Sequence, residues 1–195
     1  MINQEKYHDL PDEELVTLTL ENQNIFSILI ERYEEKLKQY VRRITNISEE
    51  EIEDVLQEVF IKMYKNLNGF NLDLSFSSWS YRITHNHVIS HFRKKNTRPQ
   101  GISVEELNDT VLENLHTDIN IDKDVDRTIL KESLLKAISK LDEKYQEVII
   151  LNFFEERSYE EISDILQKPI GTVGTLLNRA KGQLKEILLK GTYDA

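Results

Sequence analysis

Apolar positions recur at helical spacing along almost the whole chain. Ile52, Val55, Leu56, Val59, Phe60, Met63, Tyr64 and Leu67 fall three and four residues apart, the stripe of a helix with one face on a core. The spacing predicts a helix over 52–68, with Gly69 as a stop because glycine tolerates the left-handed cap. At 100° per residue the opposite face collects Asp54, Gln57, Glu58, Ile61 and Lys65. A solvated stripe is the ordinary fate of such a face; an exposed Ile61 among acids hints at a contact surface instead. Upstream, 12–45 also reads as helices, with Leu15, Leu18 and Leu20 leading into Phe26, Leu29, Ile30, Tyr33, Leu37, Tyr40, Val41 and Ile44. With 52–68 and 77–95 they predict one helical bundle.

The segment 77–95 has two distinct sides. Tyr81, Val88, Ile89 and Phe92 share the core side, while Trp79, Ile83, Asn86 and Ser90 share the other, flanked by Arg82 and Arg93. Between Leu74 and Val104 there is no Asp or Glu, and Arg82, Arg93, Lys94, Lys95 and Arg98 give a formal +5 in a chain of net −10. Phosphate is the natural counter-charge for such a reversal. Phe76, Trp79, Tyr81 and Phe92 interleave with these cations. Aromatic and amide groups beside cations offer a single-stranded base a stacking face, edge hydrogen bonds and backbone charge. The competing reading packs Trp79 and Ile83 on a neighbouring helix.

From Pro99 to Asp126 the periodicity fails. Glu105, Glu106, Asp109, Glu113, Asp118, Asp122, Asp124 and Asp126 face a single base, Lys123, a composition suited to a tether rather than a core. A second domain begins near Thr128. Ile129, Leu134, Leu135, Ile138 and Leu141 form one stripe, and Tyr145, Val148, Ile149, Leu151, Phe153 and Phe154 another. Ser158 with Glu161 three residues on is a capping box, and Ile162, Ile165 and Leu166 form that helix's buried face. Lys168 and Pro169 break it. A second helix is expected from about Gly171 to Leu189, with Val173, Leu177, Ala180 and Leu184 inward. This is a helix-turn-helix pattern, whose second helix lies in a major groove when the motif binds DNA; purely structural helix pairs share it.

Two blocks of these residues carry a family resemblance. Asp54-x-x-Gln57-Glu58-x-Phe60 followed by Phe76-x-x-Trp79-x-Tyr81-Arg82-Ile83-x-x-Asn86 resembles region 2 of bacterial extracytoplasmic-function sigma factors. Ser158-Tyr159-Glu160-Glu161-Ile162, then Pro169-x-Gly171-Thr172-Val173 and Arg179-Ala180-Lys181, resembles their region 4. The resemblance implies an all-α chain of two small helical domains, a region 2 bundle over 1–98 and a region 4 helix-turn-helix domain over 128–195. An acidic linker, 99–127, joins them and is expected in the polymerase's RNA path. It implies binding to core RNA polymerase and promoter DNA, with promoter recognition, melting and transcription initiation as the function. The segment holding Asp54, Gln57, Glu58 and Phe60 would dock on the polymerase's coiled coil; the residues favour docking on Asp54, Gln57, Glu58 and Ile61, with Phe60 partly structural. The downstream promoter element is expected near Asn86 and Trp79, with the 69–76 loop forming a pocket for a flipped base and Arg82, Arg93, Lys94 and Lys95 on phosphates. Many relatives are restrained by anti-sigma proteins, so such a partner is expected too.

The recognition helix departs from the family pattern. After Thr172 and Val173, where a basic residue, a small hydroxyl residue and an arginine are usual, stand Gly174, Thr175 and Leu176. From Glu155 to Ala195 six bases meet seven acids. Thr172, Thr175, Arg179 and Lys181 remain as DNA contacts, and Leu176 as a contact for a protein partner. Two explanations stand: recruitment through a separate DNA-targeting partner, or recognition of a different upstream element. A stand-alone helix-turn-helix regulator is the rival from another class. It would bind duplex DNA alone and dimerise, whereas a sigma factor is expected to be a monomer when free.

Composition removes other classes. With no cysteine, disulfide scaffolds and thiolate-ligated zinc are excluded, and a reducing cytoplasm suits the chain. No nucleophile elbow or glycine-rich phosphate loop occurs, so neither catalytic residues nor a cofactor are expected. His87 and His91 stand four apart, with His85 nearby, but no third metal ligand accompanies the pair; these histidines are expected to extend the basic face or pack within the bundle. No uncharged run reaches the ~20 apolar residues of a membrane span, and no signal-peptide core precedes the helices.

Overall fold

The computed structural model describes residue 7, residues 9–45, 47–96, 134 and 137–193, with backbone alone for 92–96 and 190–193. The expected linker and the start of the second domain lie outside the described residues. Those described fall into two compact units, and no strand occurs among them.

The first unit is built from α1 (Asp12–Glu21), α2 (Phe26–Ile44), α3 (Glu49–Asn66) and α4 (Phe76–Asn96), with a 3₁₀ turn at Gln23–Ile25 before α2. A capping box opens α3: Ser48 Oγ accepts the Glu51 N–H at 3.2 Å, and Glu51 Oε2 accepts the Ser48 N–H at 3.3 Å. Glu49, Glu50 and Glu51 crowd its first turn, where negative charge favours the macrodipole. The helix stops in a 3₁₀ turn, Leu67–Gly69. No described glycine has a positive φ, so the expected left-handed stop at Gly69 is replaced by a tight turn anchored on buried Leu67.

The core of this unit gathers Leu15, Leu29, Tyr33, Leu37, Tyr40, Val41, Val55, Val59, Met63, Phe76, Tyr81 and Val88. Leu20, expected to lead into that core, stays 49% exposed. The inward face of α1 is Leu15, Val16 and Thr19, because the helix begins at Asp12 and its register turns Leu20 outward. Thr19 donates its buried hydroxyl to the Leu15 carbonyl at 2.7 Å, which removes the cost of an unpaired polar group.

The second unit contains α5 (Glu143–Ile149), α6 (Tyr159–Leu166) and α7 (Ile170–Tyr193), with α5 running on into a π-helical turn, Ile150–Phe154. The Glu155 N–H reaches back five residues to the Ile150 carbonyl at 3.1 Å. That wider turn shifts the phase of the residues within and beyond it. Leu151 therefore points inward, and Phe153, expected in the same stripe, is 56% exposed.

The capping box at Ser158 and Glu161 forms as the sequence indicates. Helix α6 ends at Leu166, just before the expected Lys168–Pro169 break, and is capped by Gln167 in the left-handed conformation with φ 53° and ψ 42°. Ser163 clasps this turn: its hydroxyl donates to the Lys168 carbonyl at 2.6 Å while its own carbonyl accepts the Lys168 N–H at 3.1 Å. Val173, Leu177, Ala180 and Leu184 of α7 are buried as their spacing predicts.

Candidate nucleic-acid and polymerase interface

Helix α3 turns its stripe Ile52, Val55, Leu56, Val59 and Met63 into the bundle. Geometry then dictates that Asp54, Gln57 and Glu58 stand exposed on the far side, together with Ile61 at 54% exposure. Phe60 is buried and serves the core more than the surface. A shallow groove of about 400 Å³ runs beside this face, lined by Ile30, Glu34, Lys38, Glu53, Leu56, Gln57, Phe60 and Ile61. Its apolar floor comes from both helices and its rim is charged. Lys38 is held by Glu53 at 3.1 Å and Glu49 at 3.3 Å, and these carboxylates push its pKa up, the Glu53 hydrogen bond most strongly. The sequence candidates omit the α2 wall of the groove, although Ile30, Glu34 and Lys38 stand four apart and so share one helical face.

Helix α4 differs from its sequence reading at one aromatic. Trp79 does not present an open stacking face; it is 7% exposed and packs on Phe70 at 5.1 Å and Phe76 at 5.4 Å between ring centroids. Phe70 precedes the helix and covers a side that a helical wheel of α4 leaves bare. Asn86 is exposed, whereas Arg82 and Ile83 are half-buried. Side chains of Arg93, Lys94 and Lys95 lie outside those described. Tyr81 is buried against Tyr40 at 5.1 Å, and Tyr40 shares its hydroxyl with buried His85 Nδ1 at 3.0 Å. His87 Nε2 stands 3.2 Å from Glu58 on α3. His85 and His87 thus pack within the bundle, and no metal-competent group of three occurs among the described residues.

The loop between α3 and α4 is pinned at its ends and open in between. Phe70 and Phe76 are buried, 5.7 Å apart between ring centroids, while Leu72 and Leu74 are exposed. Asn71 folds the loop, its side-chain oxygen accepting the Asp73 N–H at 3.1 Å and its carbonyl the Leu74 N–H at 3.0 Å. At the start of α4, Ser75 Oγ accepts the Ser78 N–H at 3.3 Å and Glu13 Oε1 accepts the Phe76 N–H at 3.1 Å. Nothing in the local pattern marks Glu13, because its partner is 63 residues away.

In the second unit Thr172, Thr175, Arg179 and Lys181 are exposed along α7, and Leu176 is half-buried. Thr175 donates its hydroxyl proton to the Gly171 carbonyl at 2.8 Å, which leaves its oxygen able only to accept. Lys181 Nζ sits over the Phe153 ring at 5.3 Å. A Cβ at Gly174 would meet the Tyr159 ring at 3.8 Å, so that aromatic lies beside the position where the family pattern carries a cation.

A helical bundle followed by a helix-turn-helix domain is the architecture that the sequence resemblance implies, and similarity to known proteins establishes the family. The family profile for Sigma-70 region 2 matches residues 29–98, and that for Sigma-70 region 4 matches residues 131–184. The ECF RNA polymerase sigma factor SigW of Bacillus subtilis (strain 168) is 33% identical over 172 residues, which cover 86% of this chain and 90% of that protein. Among solved structures, CnrH in complex with the cytosolic domain of CnrY shares the fold at a TM-score of 0.62, with 23% identity, over 91% of this chain and 96% of that one. The sigma factor RpoE in complex with the anti-sigma factor NepR from Bartonella quintana gives 0.59, with 20% identity, over 84% and 96%. The chain belongs to the extracytoplasmic-function sigma factors of bacterial RNA polymerase. As a member of that family it is a regulator of transcription that binds core polymerase and directs promoter recognition.

Proposed function

We propose that the two units divide the work of initiation between named surfaces. Residues 1–98 carry the polymerase and downstream-promoter contacts, 128–195 the upstream contacts, and 99–127 the tether. The observation that carries this reading is the exposed rim of Asp54, Gln57, Glu58 and Ile61 beside an apolar groove whose floor includes Phe60. Carboxylates around one exposed isoleucine suit a basic, partly apolar helical partner such as the polymerase coiled coil. Asn86 and Arg82, continued by Arg93, Lys94 and Lys95, take the unpaired strand, and the 69–76 loop takes a flipped base. Trp79 supports that loop from beneath. Nucleotide chemistry belongs to the polymerase, and the factor works in the cytoplasm as a monomer until it joins core.

Co-purification tests the docking face. Wild type is expected to retain core RNA polymerase stoichiometrically, and the Asp54→Ala, Gln57→Ala, Glu58→Arg variant to lose it while keeping its helical circular dichroism. Retention by the variant overturns this assignment. An anti-sigma protein competing for the same unit is the second partner, by analogy with the relative bound to NepR.

For the upstream surface, Lys181 resting on Phe153 and the half-buried Leu176 favour weak unaided reading of duplex DNA, with a protein partner on Leu176. The Gly174→Lys, Leu176→Arg double variant is expected to bind promoter duplex more tightly and with steeper salt dependence, by about two counterions. Unchanged binding would show that the missing cations are not the limitation.

A further inference from the structure

The first turn of α4 contains no acidic residue, so its own sequence places no carboxylate at the positive end of the helix dipole. Helix α1 provides one. Glu13 Oε1 accepts the Phe76 N–H at 3.1 Å, and α1 is itself fixed to α2 because Asp12 accepts hydrogen bonds from Arg32 and from the Tyr33 hydroxyl. The Tyr33 ring then meets Phe76 edge-on at 5.4 Å. Phe76 is therefore held twice, through its backbone by Glu13 and through its ring by Tyr33, Phe70 and Trp79. A local cap already exists in Ser75, so α4 does not need Glu13 merely to begin. What Glu13 adds is a fixed position for the end of the 69–76 loop relative to the bundle.

We infer that Glu13 is a positioning residue for promoter opening, holding the α4 end of the loop so that its base-receiving shape exists before DNA arrives. The inference rests on the reading that this loop takes an unpaired promoter base. Preforming the loop removes an ordering cost from the capture step, and an unpaired base captured there offsets part of the cost of unstacking. Glu13 touches no DNA. Its effect passes through the Phe76 backbone to the exposed segment that carries Leu72 and Leu74.

The test uses holoenzyme reconstituted from the full chain and core RNA polymerase. The probe is a fork-junction DNA with randomised unpaired non-template positions, from which wild-type holoenzyme selects one sequence. Each unpaired position of that sequence is then replaced by an abasic site. Wild type is expected to bind about tenfold more weakly when one particular base is removed. Glu13→Ala is expected to bind the intact fork about five- to tenfold more weakly and to lose little more on removal of that base. Glu13→Gln, which keeps an acceptor oxygen, recovers most of the affinity. Glu13→Asp retains the charge in α1 but falls one methylene short of Phe76, so it behaves like the alanine variant even if alanine perturbs folding. Core affinity and melting temperature are measured alongside: core affinity is expected to be unchanged in the Asp and Gln variants, and Glu13→Asp to melt somewhat lower than wild type because it loses the Phe76 hydrogen bond. A full abasic penalty in Glu13→Asp, with normal core affinity, overturns the inference while leaving the loop assignment standing. Absence of any abasic penalty in wild type overturns both.

Discussion

His87 Nε2 on α4 lies 3.2 Å from Glu58 Oε2 on α3, so a carboxylate of the proposed polymerase face touches the helix proposed to follow promoter DNA. The Glu58 side chain is largely exposed while that of His87 is mostly covered. An exposed partner makes such a pair weak, worth under about 1 kcal/mol. Glu58→Gln should therefore change the unfolding free energy by less than that amount, while weakening the hold on core polymerase. Urea unfolding and core titration of the same variant check both statements.

Trp79 belongs to the fold before it is a DNA contact. Its contacts with Phe70 and Phe76 mean that Trp79→Ala opens a cavity, and a loss of about 3–5 kcal/mol is expected. Trp79→Phe should retain most of the stability. If Trp79→Ala unfolds at the same denaturant concentration as wild type, its ring is not part of the core.

Glu147 supplies a pH-dependent prediction. Burial raises its pKa, an effect opposed by Lys168 at 3.8 Å and reinforced by Glu143. A carboxyl whose folded pKa lies above its unfolded one favours the folded state most below the unfolded value, and this contribution is lost as pH rises through the folded pKa. Glu147→Gln should therefore raise the melting temperature at pH 7, with the gain vanishing below about pH 4. Thermal melts across that range decide it; a gain that persists in acid would point to a different cause.

Gly174 lies within the continuous helix α7, where the Tyr159 ring lies nearby at ordinary contact distance. Gly174→Ala is expected to stabilise the chain by up to about 1 kcal/mol. A loss of stability would mean that Tyr159 cannot give way.

Much of this architecture is legible in the sequence because it depends on local rules. The stripe Ile52, Val55, Leu56, Val59, Phe60 and Met63 (from which the expected Tyr64 departs, being exposed), the capping box at Ser158 and Glu161, and the inward row Val173, Leu177, Ala180 and Leu184 each arise from spacing within one helix. The departures arise where a distant residue or a change of helical pitch intervenes. Phe70 covers Trp79 from outside its helix, and the π turn rotates Phe153 into solvent. Gly69 lies in a 3₁₀ turn that needs no left-handed residue. The exposed face of Asp54, Gln57, Glu58 and Ile61 can be read from one wheel, but the groove beside it needs a second helix. Glu13 escapes any local pattern because its hydrogen bond joins α1 to α4.

Titration of labelled core RNA polymerase with Ile61→Asp and Leu20→Asp tests the docking face most directly. Both positions hold an exposed leucine or isoleucine on the first unit, so the two changes place the same charge on comparable surfaces. Ile61→Asp is expected to bind core at least about tenfold more weakly, and Leu20→Asp with wild-type affinity. Equal affinity of the two variants and wild type would contradict the placement of core polymerase on the outer face of α3.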